Sequence, residues 1–183
     1  MAKGLSYFNL GGISISPDNT LAAFSTDTVS RRQYTIQIKN LITGEIYSDK
    51  ILNTTGSATW ANDDKTLFYS MKDEVTLRSH KIFKHKLYSD SKTDIEVFHE
   101  TDETFNTFVY KSKSKKYLII GSSSTLSSEY RFLDADAPDG RGRAGAGPLG
   151  LWGGGGDGRR SGTADVGFGA HRQEEKRGFN EAR

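Results

Sequence analysis

The chain lacks cysteine altogether, and this absence excludes several kinds of chemistry. Without thiols there is no disulfide framework, no thiolate nucleophile and no cysteine-ligated metal. Long apolar runs are missing as well: none at the N-terminus suits a signal peptide, and none approaches the roughly 18 residues of a membrane-spanning helix. Proteins of reducing compartments rarely contain disulfides, so the absence of cysteine fits such a compartment. Together with the absence of long apolar runs, it leads us to expect a cytoplasmic protein with no membrane partner.

An excess of charge of either sign is also missing. The sequence has 25 lysines and arginines against 23 aspartates and glutamates, a formal net charge of +2. A chain so nearly balanced has no strong electrostatic attraction for phosphate backbones or anionic bilayers. We therefore expect neither nucleic acid nor a membrane surface as its main partner.

Isoleucine is absent beyond residue 140, where the composition changes. Residues 141–183 contain 13 of the 20 glycines and seven arginines but one lysine, whereas residues 1–140 contain all 11 isoleucines. Glycine runs lose much backbone entropy on ordering, and the segment has no strand or helix period. We predict a folded domain over residues 1–140 and a disordered Gly/Arg-rich low-complexity tail over 141–183. An Arg/Gly-rich nucleic-acid arm is the alternative, although regular Arg-Gly-Gly repeats are missing.

What the first 140 residues do contain is a succession of short alternating or apolar strands separated by polar turns. The turn around Asp18 returns 45 residues later at Asp63, and Lys65 returns 50 residues later at Lys115. A four-stranded unit that repeats every 40–50 residues is typical of a propeller blade. The pattern predicts an all-β fold, a partial β-propeller of about three four-stranded antiparallel blades. An irregular β-sandwich is the alternative. The predicted strand segments are residues 13–16, 21–25, 34–38, 57–60, 67–70, 80–87, 95–98, 105–110, 117–120 and 129–133. Residues 41–47 are predicted to form a strand, a turn and another strand.

Several stretches of this region, taken in order, resemble one known family. They read MAKGLSYFNLGGISISPDNTLAAFSTDTVSRRQYTIQIKNLITGE, WANDDKTLFY, the DETF of residues 102–105 and VYKSKSKKYLIIGSSSTLSSEYRFLDADAPDG. These stretches are similar to the propeller domain of oligopeptidase B (protease II), a branch of the prolyl oligopeptidase family of serine peptidases. The likeness covers essentially residues 1–140.

The resemblance implies a two-part parent enzyme. In the family, a seven-bladed propeller caps an α/β-hydrolase domain and filters substrates by size, and the hydrolase domain carries the Ser, Asp and His that cleave short peptides after Arg or Lys. The segment like residues 1–4 is internal in the family, and the likeness stops near Gly140, so the tail is expected to be foreign to it. We expect about three blades of seven, without the hydrolase domain and inactive alone.

The partners that the resemblance implies belong to the parent enzyme: short basic peptides and its own hydrolase domain. A stand-alone β-propeller-like module that binds proteins or peptides is the alternative function. Whether this chain is an enzyme stays open at this point, because the family consists of serine-type endopeptidases while the triad is expected elsewhere. Three blades also leave two open ends with apolar faces, which predicts marginal stability and non-specific self-association through blade edges.

No catalytic, cofactor-binding or metal-binding residue is assigned from the sequence. A nucleophile elbow, G-x-S-x-G, is absent, and the nearest serine cluster, residues 121–124, lacks the second glycine and a following helix. His80 and His85 are five apart on a predicted strand and therefore lie on opposite faces. The segment Gly145–Gly150 matches G-x-G-x-x-G, but no strand precedes it and no helix follows, so no cofactor is expected.

The remaining charged groups have simpler interpretations in turns and loops. Carboxylates and lysines at turns are expected to shape the backbone or to face solvent, rather than to form a glycosidase pair, a metal site or a nucleic-acid surface. Arg31 and Arg32, before a predicted strand, form the loop that we consider for interdomain contacts. The other groups considered are Asp63 and Asp64, His99 with Glu100, Asp102 and Glu103, Asp134 and Asp136, and Lys111, Lys113, Lys115 and Lys116.

Overall fold

A computed structural model of the chain describes residues 3–139 and the two-residue segment Gln173–Glu174. Apart from one 3-10 turn, Ser91–Thr93, its regular structure consists of strands, all paired antiparallel, which confirms the all-β prediction. Except for those two residues, the tail predicted over 141–183 lies outside the described part. The strands are β1 (Asn9–Ile15), β2 (Leu21–Asp27), β3 (Tyr34–Asn40), β4 (Ile46–Trp60), β5 (Thr66–Lys72), β6 (Ser79–Lys86), β7 (Ile95–His99), β8 (Asn106–Lys111), β9 (Tyr117–Ser123), β10 (Ser127–Asp134) and β11 (Gln173–Glu174).

The first seven strands form two blades that share one long strand. They are hydrogen-bonded in chain order, from β1 to β7. The first part of β4 pairs with β3 between Ile46 and Thr54, and its second part pairs with β5 between Thr54 and Trp60. Strand β4 is therefore the outer strand of blade 1 (β1–β4) and the inner strand of blade 2 (β4–β7).

The crossover inside β4 depends on two left-handed residues, Asn53 (φ 56°) and Gly56 (φ 92°). A Cβ added to Gly56 would lie 2.9 Å from the ring of Tyr34, so glycine satisfies both the backbone angle and the close approach. The sequence predicted separate strands on either side of this point. Instead, the chain bends from one blade into the next without leaving the strand.

Blade 3 consists of β8, β9 and β10, with β11 as a two-residue fourth strand at its outer edge. Ser127 pairs with Glu174 and Ser128 pairs with Gln173. Four full strands per unit are therefore present in the first two blades, and blade 3 has three full strands among the described residues.

The repeated aspartates shape the turns between the first two strands of each of blades 1 and 2. Asp18 Oδ1 accepts a hydrogen bond from the Thr20 N–H at 2.9 Å, and Asp63 Oδ1 accepts one from the Thr66 N–H at 2.9 Å. The prediction of a strand at residues 41–42 is wrong. Those residues form a turn, because Asn40 Oδ1 accepts the N–H groups of Ile42 and Thr43 at 2.9 and 3.0 Å.

Two apolar cores lie between neighbouring blades. The second strands of blades 1 and 2, β2 and β5, are almost entirely buried. The core between blades 1 and 2 contains Leu21, Ala23, Ile36, Ile38, Ile51, Trp60, Leu67, Tyr69 and Leu87. The core between blades 2 and 3 contains Ala61, Phe68, Ile82, Val109, Leu118, Ile120, Leu133 and Ala135.

Side-chain donors connect the inner strands of neighbouring blades. The Trp60 indole N–H donates to the carbonyl of Ser14 at 3.0 Å, which joins blade 2 to blade 1. The Thr59 hydroxyl donates to the carbonyl of Val109 at 3.1 Å, which joins blade 2 to blade 3. These bonds use backbone carbonyls at the inner edge of the neighbouring blade as acceptors. Each blade therefore supplies hydrogen-bond partners to the polar side chains of the next blade, in addition to covering its apolar side chains.

Candidate functional site

A fully buried histidine forms the most concentrated group of titratable side chains in the described residues. His85 on β6 is 0% exposed, and both of its ring nitrogens face carboxylates. Its Nδ1 lies 2.8 Å from Asp94 Oδ1, and its Nε2 lies 3.3 Å from Asp49 Oδ2. The Tyr69 hydroxyl donates to Asp94 Oδ2 at 2.8 Å. We call Asp49, His85, Asp94 and Tyr69 the buried cluster.

The electrostatics of the buried cluster favour a protonated ring. Burial alone would lower the pKa of His85, but the hydrogen bonds and charges of Asp94 and Asp49 outweigh it and raise the pKa above its ordinary value. Burial, together with the charge of Asp94, raises the pKa of the Tyr69 hydroxyl as well. With both ring nitrogens occupied by carboxylates, His85 has no position left from which to take a proton from a serine.

His80, five residues before His85 on β6, does not join the buried cluster, in line with the prediction that the two side chains lie on opposite faces of the strand. The ring of His80 packs edge-on against that of His99, with 5.6 Å between centroids. Burial comes first among the causes that lower the pKa of His80. Among the described residues, no three or more histidines, aspartates or glutamates are grouped to hold a metal ion. The expectation that the chain has no metal site stays a prediction.

The acidic stretch after His99 shapes the connection between blades 2 and 3. Glu100 accepts a hydrogen bond from the Ser122 hydroxyl at 2.5 Å and another from the Asp102 N–H at 3.0 Å. The Arg78 guanidinium donates to the carbonyls of Asp102 and Phe105 at 2.9 Å each. These contacts explain the polar residues of the segment as supports of the backbone.

The serine cluster at residues 121–124 lies mostly within strand β9 rather than on a strand-to-helix turn. Gly121 is covered by the Phe108 ring, and a Cβ at this position would lie 2.3 Å from it. Among the described residues, no serine hydroxyl hydrogen-bonds to a histidine ring. The absence of a catalytic triad from the whole chain remains a prediction, and the segment Gly145–Gly150 lies outside the described residues.

The carboxylates and lysines of the turns have structural partners. Asp64 Oδ1 accepts from the N–H of Asp18 at 2.9 Å, which connects a turn of blade 2 to one of blade 1. Asp136 Oδ1 accepts from the Asn62 amide at 2.7 Å, and Lys111 donates to the oxygen of the same amide at 2.7 Å. Asp134 Oδ1 accepts from the N–H of Asp136 at 2.9 Å. The solvent-facing hairpin tip predicted in this region is confirmed by exposed lysines at 113, 115 and 116.

The loop that carries Arg31 and Arg32 is held in one shape by a buried carboxylate. Asp27, 1% exposed, accepts three backbone N–H groups of residues 28–33 at distances between 2.8 and 3.0 Å. The Lys72 ammonium donates to the carbonyl of Arg32 at 2.7 Å. Both arginines are exposed, so the loop presents two guanidinium groups at the surface. Their role in an interdomain contact stays a prediction.

Two blade faces have no neighbouring blade within the described residues. On blade 1, the residues that alternate with its buried core face include Ile13, which is 60% exposed, and Ile15, which is 44% exposed. On blade 3, the corresponding face carries rings in edge-on and stacked contacts, among them Tyr130, which is 44% exposed. The aromatic residues of that face are Phe108, Tyr110, Tyr117, Tyr130 and Phe132.

No helix in the described part has the length and apolar character to cross a bilayer.

Comparison with known proteins gives consistent matches to one family. The family model for the prolyl oligopeptidase N-terminal β-propeller domain matches residues 1–146. The chain is 39% identical over 138 residues to dipeptidyl aminopeptidase BI of Pseudoxanthomonas mexicana, covering 75% of this chain and 19% of that protein. It is 34% identical over 140 residues to protease 2 of Moraxella lacunata, covering 75% and 20%.

Solved structures agree with the sequence matches. Oligopeptidase B from Leishmania major superposes with a TM-score of 0.72 at 30% identity, over 76% of this chain and 20% of that chain. The chain therefore spans about a fifth of the length of each of these three relatives.

Proposed function

We propose a function from one premise: the chain belongs to the prolyl oligopeptidase N-terminal β-propeller family. In this proposal, it forms part of the substrate-gating propeller of an oligopeptidase B-like serine endopeptidase. The α/β-hydrolase domain of the parent enzyme cleaves short peptides after Arg or Lys. This chain alone does not hydrolyse peptides, and residues 1–140 form its propeller portion, followed by a separate tail over 141–183.

The observation that carries the proposal is the pair of open blade faces. A propeller closes its ring so that each blade is covered on both sides, and the two interfaces within this chain follow that rule. The outward faces carry exposed Ile13 and Ile15 on blade 1 and exposed Tyr110 and Tyr130 on blade 3. Surfaces of this composition suit further blades better than water. In the parent enzyme, Arg31 and Arg32 are the residues that we propose for contact with the hydrolase domain.

The proposal is tested by placing the blades in a complete relative. Residues 3–139 replace the matching stretch of Moraxella lacunata protease 2, and cleavage of a fluorogenic Arg-Arg peptide is measured for this chimera, for the unaltered relative and for the 183-residue chain. We expect turnover by the first two and none by the chain. We also expect the chimera to leave long polypeptides uncut, because its propeller still limits entry by size.

Two results contradict the proposal. One is hydrolysis of the fluorogenic peptide by the isolated chain, provided that the activity co-purifies with the chain and is lost when the chain is removed. The other is a soluble chimera that cleaves long polypeptides as fast as short ones, since the inserted blades then provide no size filter.

A stand-alone binding module is the second candidate function. The loop held by Asp27 favours this function. Its backbone is fixed by hydrogen bonds within the propeller region, so it presents Arg31 and Arg32 without needing a second domain. A module of this kind is a stable monomer that binds a peptide saturably, and binding is lost on Arg31→Ala with Arg32→Ala. The propeller fragment is instead expected to associate with itself through its open faces, without defined stoichiometry.

A further inference from the structure

The buried cluster connects two blades through one histidine. Asp49 lies on the part of β4 that pairs with β3, so it belongs to blade 1, whereas His85 on β6 and Asp94 belong to blade 2. The contact between His85 Nε2 and Asp49 Oδ2 therefore crosses the interface between blades. The side chains of His85, Asp49 and Asp94 are 0%, 3% and 2% exposed, so water does not take over their hydrogen bonds.

The geometry requires one proton more than a neutral ring supplies. A neutral imidazole has one N–H, so its second nitrogen would direct a lone pair at a carboxylate oxygen. The two contacts are satisfied together when His85 is an imidazolium, or when a carboxyl group holds the same proton and donates it to the ring. Both arrangements contain the same number of protons and are forms of one coupled group. Loss of that proton leaves two carboxylates and a lone pair facing one another in a dry space.

The groups around the cluster also attach a loop to blade 1. The Tyr88 N–H donates to Asp49 Oδ2 at 2.8 Å, and the Ser91 hydroxyl donates to the carbonyl of Lys50 at 2.9 Å. Both donors belong to residues 87–94, which connect β6 to β7 and end at Asp94 of the cluster. We call residues 87–94 the clasp loop. Its attachment depends on Asp49 remaining oriented by His85.

Two tyrosines face the cluster, and the charged residues Lys50 and Asp90 line the same surface pocket as Asp49 and Tyr88. The hydroxyl of Tyr69 on β5 faces Asp94, and the ring of Tyr88 packs against that of Tyr47 with 5.2 Å between centroids. A hydrogen bond to Tyr47 comes first among the causes that raise the pKa of Tyr88, and the charge of Asp49 contributes. With raised pKa values, Tyr69 and Tyr88 stay neutral over the range in which a histidine titrates, so the shared proton is the group of the cluster that responds to pH there.

We propose that Asp49, His85 and Asp94 form a proton-dependent latch between blades 1 and 2, in which one shared proton keeps the clasp loop docked and its loss releases the loop. When the proton leaves, the repulsion at Asp49 is relieved if that carboxylate turns towards water. The Tyr88 N–H then loses its acceptor, and the clasp loop beyond Leu87 separates from β4, while Leu87 stays in the apolar core.

The direction of the pH dependence follows from the raised pKa of His85. A histidine that binds its proton more tightly in the folded state stabilises that state fully below its unfolded pKa, about 6.5. That stabilisation declines as the pH rises from there and is lost once the pH passes the folded pKa. The latch is therefore closed in mildly acidic solution and opens on the alkaline side.

The test follows the ring and the loop in the same protein. Imidazole resonances of the full chain are recorded against pH by NMR, and the signals of His85 are identified by sequential assignment of the unaltered chain. Hydrogen exchange of the clasp loop is measured over the same range by mass spectrometry, corrected for intrinsic exchange. We expect the cluster to keep the shared proton at pH values where His80 has become neutral, and the loop to lose protection as that proton is lost.

Matched variants separate the latch from general charge effects. Asp49→Asn removes the carboxylate that faces Nε2 and should abolish the pH dependence of clasp-loop exchange. Glu103→Gln, which removes an exposed carboxylate on another connection, should retain it. The proposal is overturned if His85 titrates together with His80, if loop exchange does not follow His85, or if folded Asp49→Asn keeps the original profile. The first two observations use the unaltered chain, so a variant that fails to fold does not protect the proposal.

Discussion

The blade faces that meet inside the chain differ from the two that face outward, although all are built from the same alternating strands. Between blades 1 and 2, Trp60 is 2% exposed, and between blades 2 and 3, Phe68 is 0% exposed. On the outward faces, Ile13 and Tyr130 are 60% and 44% exposed, although Phe24, which pairs with Ile13 on the second strand, is 6% exposed. The same strand pattern therefore yields a core or an open surface according to whether a neighbouring blade is present.

This difference shows where the stability of the described region comes from. An isolated four-stranded blade has two apolar faces and cannot cover either by itself, so burial arises only where blades stack. The polar contacts follow the same division, because the Trp60, Thr59 and His85 side chains all make hydrogen bonds or ion-pair contacts across interfaces between blades. Substitutions of the same type at inner and outer positions measure the contribution of stacking directly.

The largest difference is expected from truncation of an aromatic residue. Trp60→Ala removes a buried indole and its hydrogen bond to Ser14, and should lower the free energy of unfolding by about 3–5 kcal/mol. Tyr110→Ala on the outer face of blade 3 should lower it by less than about 1 kcal/mol, because the ring is already 40% exposed. Denaturant unfolding at low protein concentration compares the two.

A conservative variant tests the reason given for that difference. Trp60→Phe keeps most of the buried ring area and removes the indole N–H, so we expect a loss between those of the two alanine variants. Equal losses for Trp60→Ala and Tyr110→Ala would mean that the outward face is covered in solution by something other than a further blade of this chain.

Glycine positions give a second pair with a smaller expected effect. Gly56→Ala, at a φ of 92° and against the ring of Tyr34 in a packed interface, should cost about 1–3 kcal/mol. Gly121→Ala should cost about 1 kcal/mol or less, even though the added Cβ would lie closer to Phe108, at 2.3 Å. The ring of Phe108 lies on the open face and can swing outward. Denaturant unfolding of the two variants tests this expectation. A larger loss of unfolding free energy for Gly121→Ala than for Gly56→Ala would show that the rings of the outer face cannot move aside.

How far the sequence predicts this structure depends on how local each feature is. The turn aspartates, Asp18 and Asp63, could be recognised because their hydrogen bonds go to residues two or three positions ahead. The continuity of β4 could not, because Asn53 and Gly56 give the same signal as a loop. Only the pairing of the flanking segments with different strands reveals a bend within one strand.

The buried cluster was outside the reach of sequence reasoning for a related cause. Alternation correctly placed His85 on the face opposite to His80, but its partners Asp94 and Asp49 are 9 and 36 residues away. Asp49 reaches the ring only because blades 1 and 2 stack. A histidine in an alternating strand can face solvent, pack in an apolar core or form an ion pair. The residues of the neighbouring blade determine which of these surroundings it has.

The smallest change in unfolding energy, and the most direct test of the outward faces, is expected from charged substitutions there. Ile13→Lys on blade 1 combined with Tyr130→Lys on blade 3 should alter the free energy of unfolding by about 0.5 kcal/mol or less, since both side chains are exposed. If the faces associate as proposed, the unaltered chain shows a mass that grows with concentration in sedimentation or light scattering. The lysine variant should then stay closer to a monomer, because each contact would bury an unpaired ammonium group. A pair of lysines at Lys39 and Lys113, already present and exposed or half-exposed, can be changed to glutamine as a control for net charge. Because the first pair raises the net charge by two and the control lowers it by two, an electrostatic origin predicts changes in association of opposite sign. Association that weakens with the added lysines and strengthens by a similar amount with the glutamines would mean that net charge, rather than the open faces, controls it.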